Sequence, residues 1–89
     1  MTERHTPVVN PLGLHARAAA RFVHLAGRFS SKIQVGRGTR MVDGKSILGL
    51  LLLAAARGTT LMIKADGADE VAAVDALVAL TERGFEDPA

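Results

Sequence analysis

Residues 31–42, SKIQVGRGTRMV, decide the fold class. Ile33 and Val35 alternate with Lys32 and Gln34, the period-2 pattern of a half-buried strand over 31–37. Gly36-Arg37-Gly38 then allows a tight turn into a short partner over 39–42, so the two segments read as a hairpin. Working outward, the chain upstream holds a brief strand over 6–9. Its Pro7 has no N–H to give to a ladder, which argues for a sheet edge. Asn10-Pro11-Leu12-Gly13 is turn chemistry, and a helix over 16–26 follows with Ala16, Ala19, Ala20, Val23 and Ala26 at helical spacing. Gly27 is its natural stop.

Downstream, Asp43-Gly44 turns the chain into a second helix over 47–57 that Gly58 ends. Ser46 stands where an N-cap belongs, its hydroxyl able to accept an orphan backbone N–H. Leu61 and Ile63 mark one side of a fourth strand over 59–65, and Asp66-Gly67 turns again. The last helix, over 69–83, opens with Asp69 and Glu70 and carries the stripe Val71, Val74, Leu77, Val78 and Thr81. Gly84 and Phe85 look like its C-terminal cap with the accompanying apolar contact. The order is βαββαβα, an α+β chain whose stripes two layers would bury, with helices on one face of an antiparallel sheet.

Composition narrows the function. A chain of 89 residues has room for one small domain, expected over 1–89. The longest apolar segment, 47–56, covers about half of the ~20 residues a bilayer needs, and the amino terminus MTERHTP has no apolar signal core. A cytoplasmic protein without membrane insertion is the expectation. With no cysteine, thiolate metal sites and cysteine nucleophiles are excluded. His5, His15 and His24 lack metal-ligand spacing, so neither metal nor cofactor is expected. His5 reads as a residue of a frayed terminus and His24 as an exposed helix residue. Through Gly58 there are nine Lys and Arg against two Asp and Glu; from Thr59 onward there are two against seven. The net +2 therefore divides into +7 and −5, and the basic part suits an acidic partner. Nucleic acid is disfavoured, because three Phe and no Tyr or Trp give a poor base-stacking platform.

The chemistry gathers at His15, directly ahead of the first helix. Backbone N–H groups of Ala16 and Arg17 have no intrahelical acceptor there, and the helix dipole adds its positive end. An anion at this place would be hydrogen-bonded, and Arg17 could add a planar set of donors suited to phosphate. A neutral imidazole is nucleophilic near pH 7 and forms a bond to phosphorus that transfers onward. No second catalytic group is visible, so the chain reads as a stoichiometric carrier and not as an enzyme with its own turnover. In the second helix Leu50, Leu53 and Ala54 form one stripe and Ile47, Leu48 and Leu51 a neighbouring one. So short a helix cannot bury both in two layers, and an exposed aliphatic stripe marks a docking surface.

The combination GLHARAAA (13–20), VDGKSILGLLLLAA (42–55) and GTTLMIKADGADEVAAVDAL (58–77) resembles the HPr family of histidine-containing phosphocarriers in the bacterial phosphoenolpyruvate-dependent phosphotransferase system. The resemblance covers essentially the whole chain. It implies an open-faced sandwich with sheet order 1-4-2-3 and three helices on one face. It also implies that His15 takes a phosphoryl group on Nδ1 from phosphorylated enzyme I and passes it to IIA domains, with Arg17 steadying the group. Ile47, Leu48 and Leu51 match the family's partner patch, leaving Leu50 and Leu53 for the core. Ser46 matches a serine that HPr kinase/phosphorylase modifies in many members. A monomer is the expectation. The rival within the family is a regulatory paralogue of a nitrogen-related branch, and outside it a small nucleic-acid-binding domain. Two departures stand out: Ala18 where many members have proline, and Leu12 where relatives often have a hydroxyl.

Overall fold

A computed structural model describes residues 1–86. The hairpin forms as its alternation predicts, from β2 (Lys32–Arg37) and β3 (Arg40–Asp43), with Val35 opposite Val42 and Gly36 opposite Met41. β1 (Thr2–Pro7) and β4 (Thr60–Asp66) complete an antiparallel sheet in the order β1-β4-β2-β3. Helices α1 (Ala16–Ala26), α2 (Ile47–Leu52) and α3 (Glu70–Glu82) pack on it. The layer between holds Ile33, Val35, Leu61, Ile63 and Ala65 from the sheet against Phe22, Leu50, Leu53, Val74 and Leu77 from the helical side, all buried. This is the open-faced sandwich that the sequence resemblance implies, with β1 at an edge where Pro7 is tolerated.

Several boundaries differ from expectation for identifiable reasons. β1 starts at Thr2 instead of residue 6, so His5 is a strand residue opposite Met62 and not a frayed end. Its core-facing side is polar: Thr6 is buried, Arg4 pairs with Asp75, and Thr2 donates to Glu70 of α3. An apolar alternation therefore never appears. Pairing continues past Pro7, where Val8 N–H donates to the Thr59 carbonyl and Gly58 N–H to the Val8 carbonyl.

α1 keeps its predicted bounds but is rotated about its axis. Ala18, Ala19, Phe22 and Ala26 are buried, whereas Ala16 and Ala20 are exposed. Among so many alanines the one large side chain, Phe22, fixes which face turns inward, since it removes the most apolar area from water.

α2 ends at Leu52, five residues before the expected Arg57. Arg37 donates to the Leu53 carbonyl and Arg40 to the Leu52 carbonyl, so the hairpin supplies partners for the helix's last acceptors. Ala54 then adopts φ +50° and is exposed, not part of the core stripe, while Leu50 and Leu53 are fully buried. Ser46 is the N-cap, its Oγ accepting the Gly49 N–H at 3.0 Å.

α3 leaves Val71 exposed and buries Ala73 and Leu80 instead. Its N-cap Asp69 makes no side-chain cap; the carboxylate accepts from Ser30 N–H, Ser31 N–H and the Ser31 hydroxyl. Those donors hold its pKa at about 2. Glu70 is held at about 2 as well, by the Met1 amino group and the Thr2 hydroxyl. At the far end Phe85 N–H reaches the Leu80 carbonyl and Gly84 N–H the Thr81 carbonyl, a Schellman cap with Phe85 buried.

Candidate functional site

His15 is placed by two loops locked together. After β1 the chain bends so that Asn10 accepts the Gly13 N–H through its backbone and donates from Nδ2 to the Gly13 carbonyl at 2.8 Å. Gly13 has φ +66°, and a Cβ there would lie 2.5 Å from the Ala55 carbonyl oxygen, so only glycine fits. Leu14 is buried and its N–H donates to that same Ala55 oxygen at 2.9 Å. The loop that follows α2 thus braces the loop that precedes α1.

His15 itself is the N-cap of α1, with extended backbone (φ −79°, ψ 180°) and its carbonyl accepting the Ala19 N–H. Its N–H donates to the Gly13 carbonyl, the oxygen that Asn10 also holds. The half-buried imidazole makes no hydrogen bond with any described residue. Ala19 is the first residue to donate into the helix, so the N–H groups of Ala16, Arg17 and Ala18 have no intrahelical acceptor. The sequence pointed to two of these donors; Ala18, with its own N–H where proline would have none, makes a third.

A cleft of about 290 Å³ opens beside the ring, and Arg17 lines it with His15 and Ala18. Arg17 is exposed and its side chain makes no hydrogen bond or ion pair with the described residues. Two residues that sequence reasoning passed over belong here. Arg21 lines the cleft and donates to the Phe85 carbonyl at 2.9 Å, which ties the α3 cap to α1. Its signal was the four-residue spacing from Arg17, which puts both on one helical face. Asn10 was legible as an asparagine able to bond backbone three residues on. Leu12 lies at the rim, 76% exposed.

The α2 residues Ile47, Leu48 and Leu51 are exposed as expected, and Leu52 joins them at 57%. Ser46 is half-buried at the head of this apolar surface. The described residues hold no cluster of three or more His, Cys, Asp or Glu able to bind a metal ion. Among them no helix is long and apolar enough to cross a membrane. Chemically, the site offers a nucleophilic ring, free amide donors and a guanidinium within one small cleft.

The family model described as "PTS HPr component phosphorylation site" matches residues 2–83. The chain belongs to the HPr family. Curated relatives named phosphocarrier protein HPr include that of Cupriavidus necator, 48% identical over 85 residues and 96% of each chain, and that of Pseudomonas putida, 46% identical over 88 residues and 98% of each. Among solved structures, an HPr from Thermoanaerobacter tengcongensis aligns over 100% of both chains with a TM-score of 0.93 at 40% identity. This HPr-family chain is thus a phosphocarrier of the bacterial phosphotransferase system, and its sheet order and helices are those of its structural neighbours.

Proposed function

We propose that the chain carries a phosphoryl group on Nδ1 of His15, taking it from phosphorylated enzyme I and giving it to IIA domains in the cytoplasm. One observation carries the assignment: the imidazole of an N-cap residue stands without a hydrogen bond beside unpartnered amides and Arg17. The Nδ1 lone pair forms the N–P bond while the bond between phosphorus and the donor breaks, its electron pair leaving with the donor. Delivery to a IIA domain reverses these roles. Ala16, Arg17 and Ala18 amides stabilise the equatorial oxygens with the helix dipole behind them, and the Arg17 guanidinium adds charge-assisted bonds. Because partners supply the rest of the chemistry, the chain acts as a stoichiometric, monomeric carrier spanning 1–89.

Ile47, Leu48 and Leu51, with Leu52, form the partner surface. Phosphorylation of Ser46 by HPr kinase/phosphorylase would add roughly −1.5 to −2 charge at the head of that surface. Docking to an acidic donor weakens, while α2 still has an anion at its N-terminus to accept the Gly49 N–H. A Ser46→Asp variant accordingly accepts phosphoryl groups more slowly than wild type and stays folded; equal rates would reject this regulation.

The test of the central reading is direct. Incubated with phosphoenolpyruvate and enzyme I, the wild type acquires one acid-labile phosphoryl group visible by mass spectrometry, and His15→Ala does not. Absence of labelling in wild type, or labelling of the variant, would overturn it.

A further inference from the structure

A second cleft, of about 680 Å³, lies between α1 and the end of α3. Its rim carries Arg17, Arg21 and His24 of α1, Arg28 just past it, and Arg83 at the C-terminus of α3. No carboxylate lines it among the described residues. The side chains of Arg17, His24 and Arg28 make no hydrogen bond or ion pair with any described residue, and Arg83 uses Nε on the Glu86 carbonyl at 3.3 Å.

Between these cations the lining is apolar: exposed Ala20, half-buried Leu25 and the edge of buried Leu80. The volume falls in the range of about 300–1,000 Å³ typical of small-molecule sites. Guanidinium forks match phosphate oxygens and also stack on planar rings. Arg17 and Arg21 line this cleft and the His15 cleft alike.

We propose that the α1/α3 cleft binds a small organic polyphosphate of nucleotide size, its phosphates on Arg17, Arg28 and Arg83 and its apolar part on Leu25 and Leu80. Because Arg17 serves both clefts, occupancy here draws that guanidinium from His15 and slows phosphoryl acceptance. This second half rests on the carrier reading above; the binding half does not. By linkage, a phosphoryl group on His15 weakens the anion's affinity by the factor by which the anion disfavours the phosphorylated state at equilibrium.

The binding half is tested on unphosphorylated protein by amide chemical-shift titration at about 0.15 M salt, where long-range steering is screened. ATP with a chelator present shifts residues around Ala20, His24, Arg28 and Arg83 and saturates. The double variant Arg28→Gln/Arg83→Gln weakens it by about fivefold, the low end of the range for coupled sites. Inorganic tripolyphosphate binds several-fold more weakly than ATP, and adenosine alone gives no shift. Unchanged affinity in the double variant, or shifts spread equally to Arg4, Lys32 and Arg40, would overturn the site. Tripolyphosphate binding as tightly as ATP would overturn the organic ligand, and an acidic peptide saturating the cleft more tightly than ATP would assign it to a protein. The coupled half is read separately. ATP slows labelling of wild type by enzyme I, and about fivefold more ATP is needed with the double variant. Equal inhibition of both proteins would place the effect on enzyme I and overturn the coupling.

Discussion

A methyl group at Gly13 would stand 2.5 Å from the Ala55 carbonyl oxygen and 3.0 Å from Ala56 Cα, on a residue with φ +66°. Gly13→Ala must therefore part the two loops that hold His15, at a cost of about 1–3 kcal/mol. Thermal unfolding measures this loss, and phosphoryl acceptance falls more steeply than stability because the histidine moves with the loop. At Ala18 the substitution to test is proline. The position lies in the first turn, where the ring is tolerated, but its N–H is lost. Ala18→Pro keeps the fold and shifts the transfer equilibrium with enzyme I towards the donor by about tenfold, as loss of one charge-assisted bond predicts. An unchanged equilibrium would mean that this amide does not reach the phosphoryl group. His15, Arg17 and Ser46 were legible because cap chemistry is local, written within three or four residues of each helix start. Arg21 was harder. Arg21's partner is a carbonyl 64 residues away, and no local pattern announces it.

Elements were legible to the extent that one face is apolar. β2 and β4 announce themselves through Ile33, Val35, Leu61 and Ile63, whereas β1 sets Thr2, Arg4 and Thr6 on its α3 side, only Thr6 of them buried, and hides from periodicity. α2 was read five residues too long because what stops it is a pair of arginines on the hairpin, not a local breaker. Its start depends on Ser46, and Ser46→Ala should cost about 1 kcal/mol in denaturant unfolding. The start of α3 makes a pH-sensitive fastening. Asp69 and Glu70 are both depressed to about 2 from their ordinary values near 3.8 and 4.5. An acid with a lowered folded pKa stabilises fully above its unfolded pKa and loses that contribution as pH falls towards the folded one. Stability should therefore be flat above about pH 5 and fall between about pH 4.5 and 2. In Asp69→Asn/Glu70→Gln the same unfolding series shows a shallower acid slope; an unaltered slope would place the acid sensitivity elsewhere.

Across the whole molecule, the division of charge in the chain becomes a division in space. α1 and its flanks present Arg17, Arg21 and Arg28, whereas the acids Asp69 and Glu70 are spent on bonds at the opposite end of α3. Encounter with an acidic donor is then steered electrostatically, and the labelling rate should drop as ionic strength rises from about 0.01 M to about 0.15 M, when the Debye length contracts from about 30 Å to about 8 Å. A rate indifferent to salt would assign the encounter to the α2 leucines alone.

The bond from Arg21 to the Phe85 carbonyl also matters to anyone handling the protein. It brings Gly84, Phe85 and Glu86 into the wall of the His15 cleft, so the chain leaves α3 beside the imidazole. The amino group of Met1 is anchored to Glu70 at the other end of α3, whose 13 residues span about 20 Å. A handle or fluorophore on that amino end keeps clear of the histidine but costs Glu70 the Met1 ammonium that holds it.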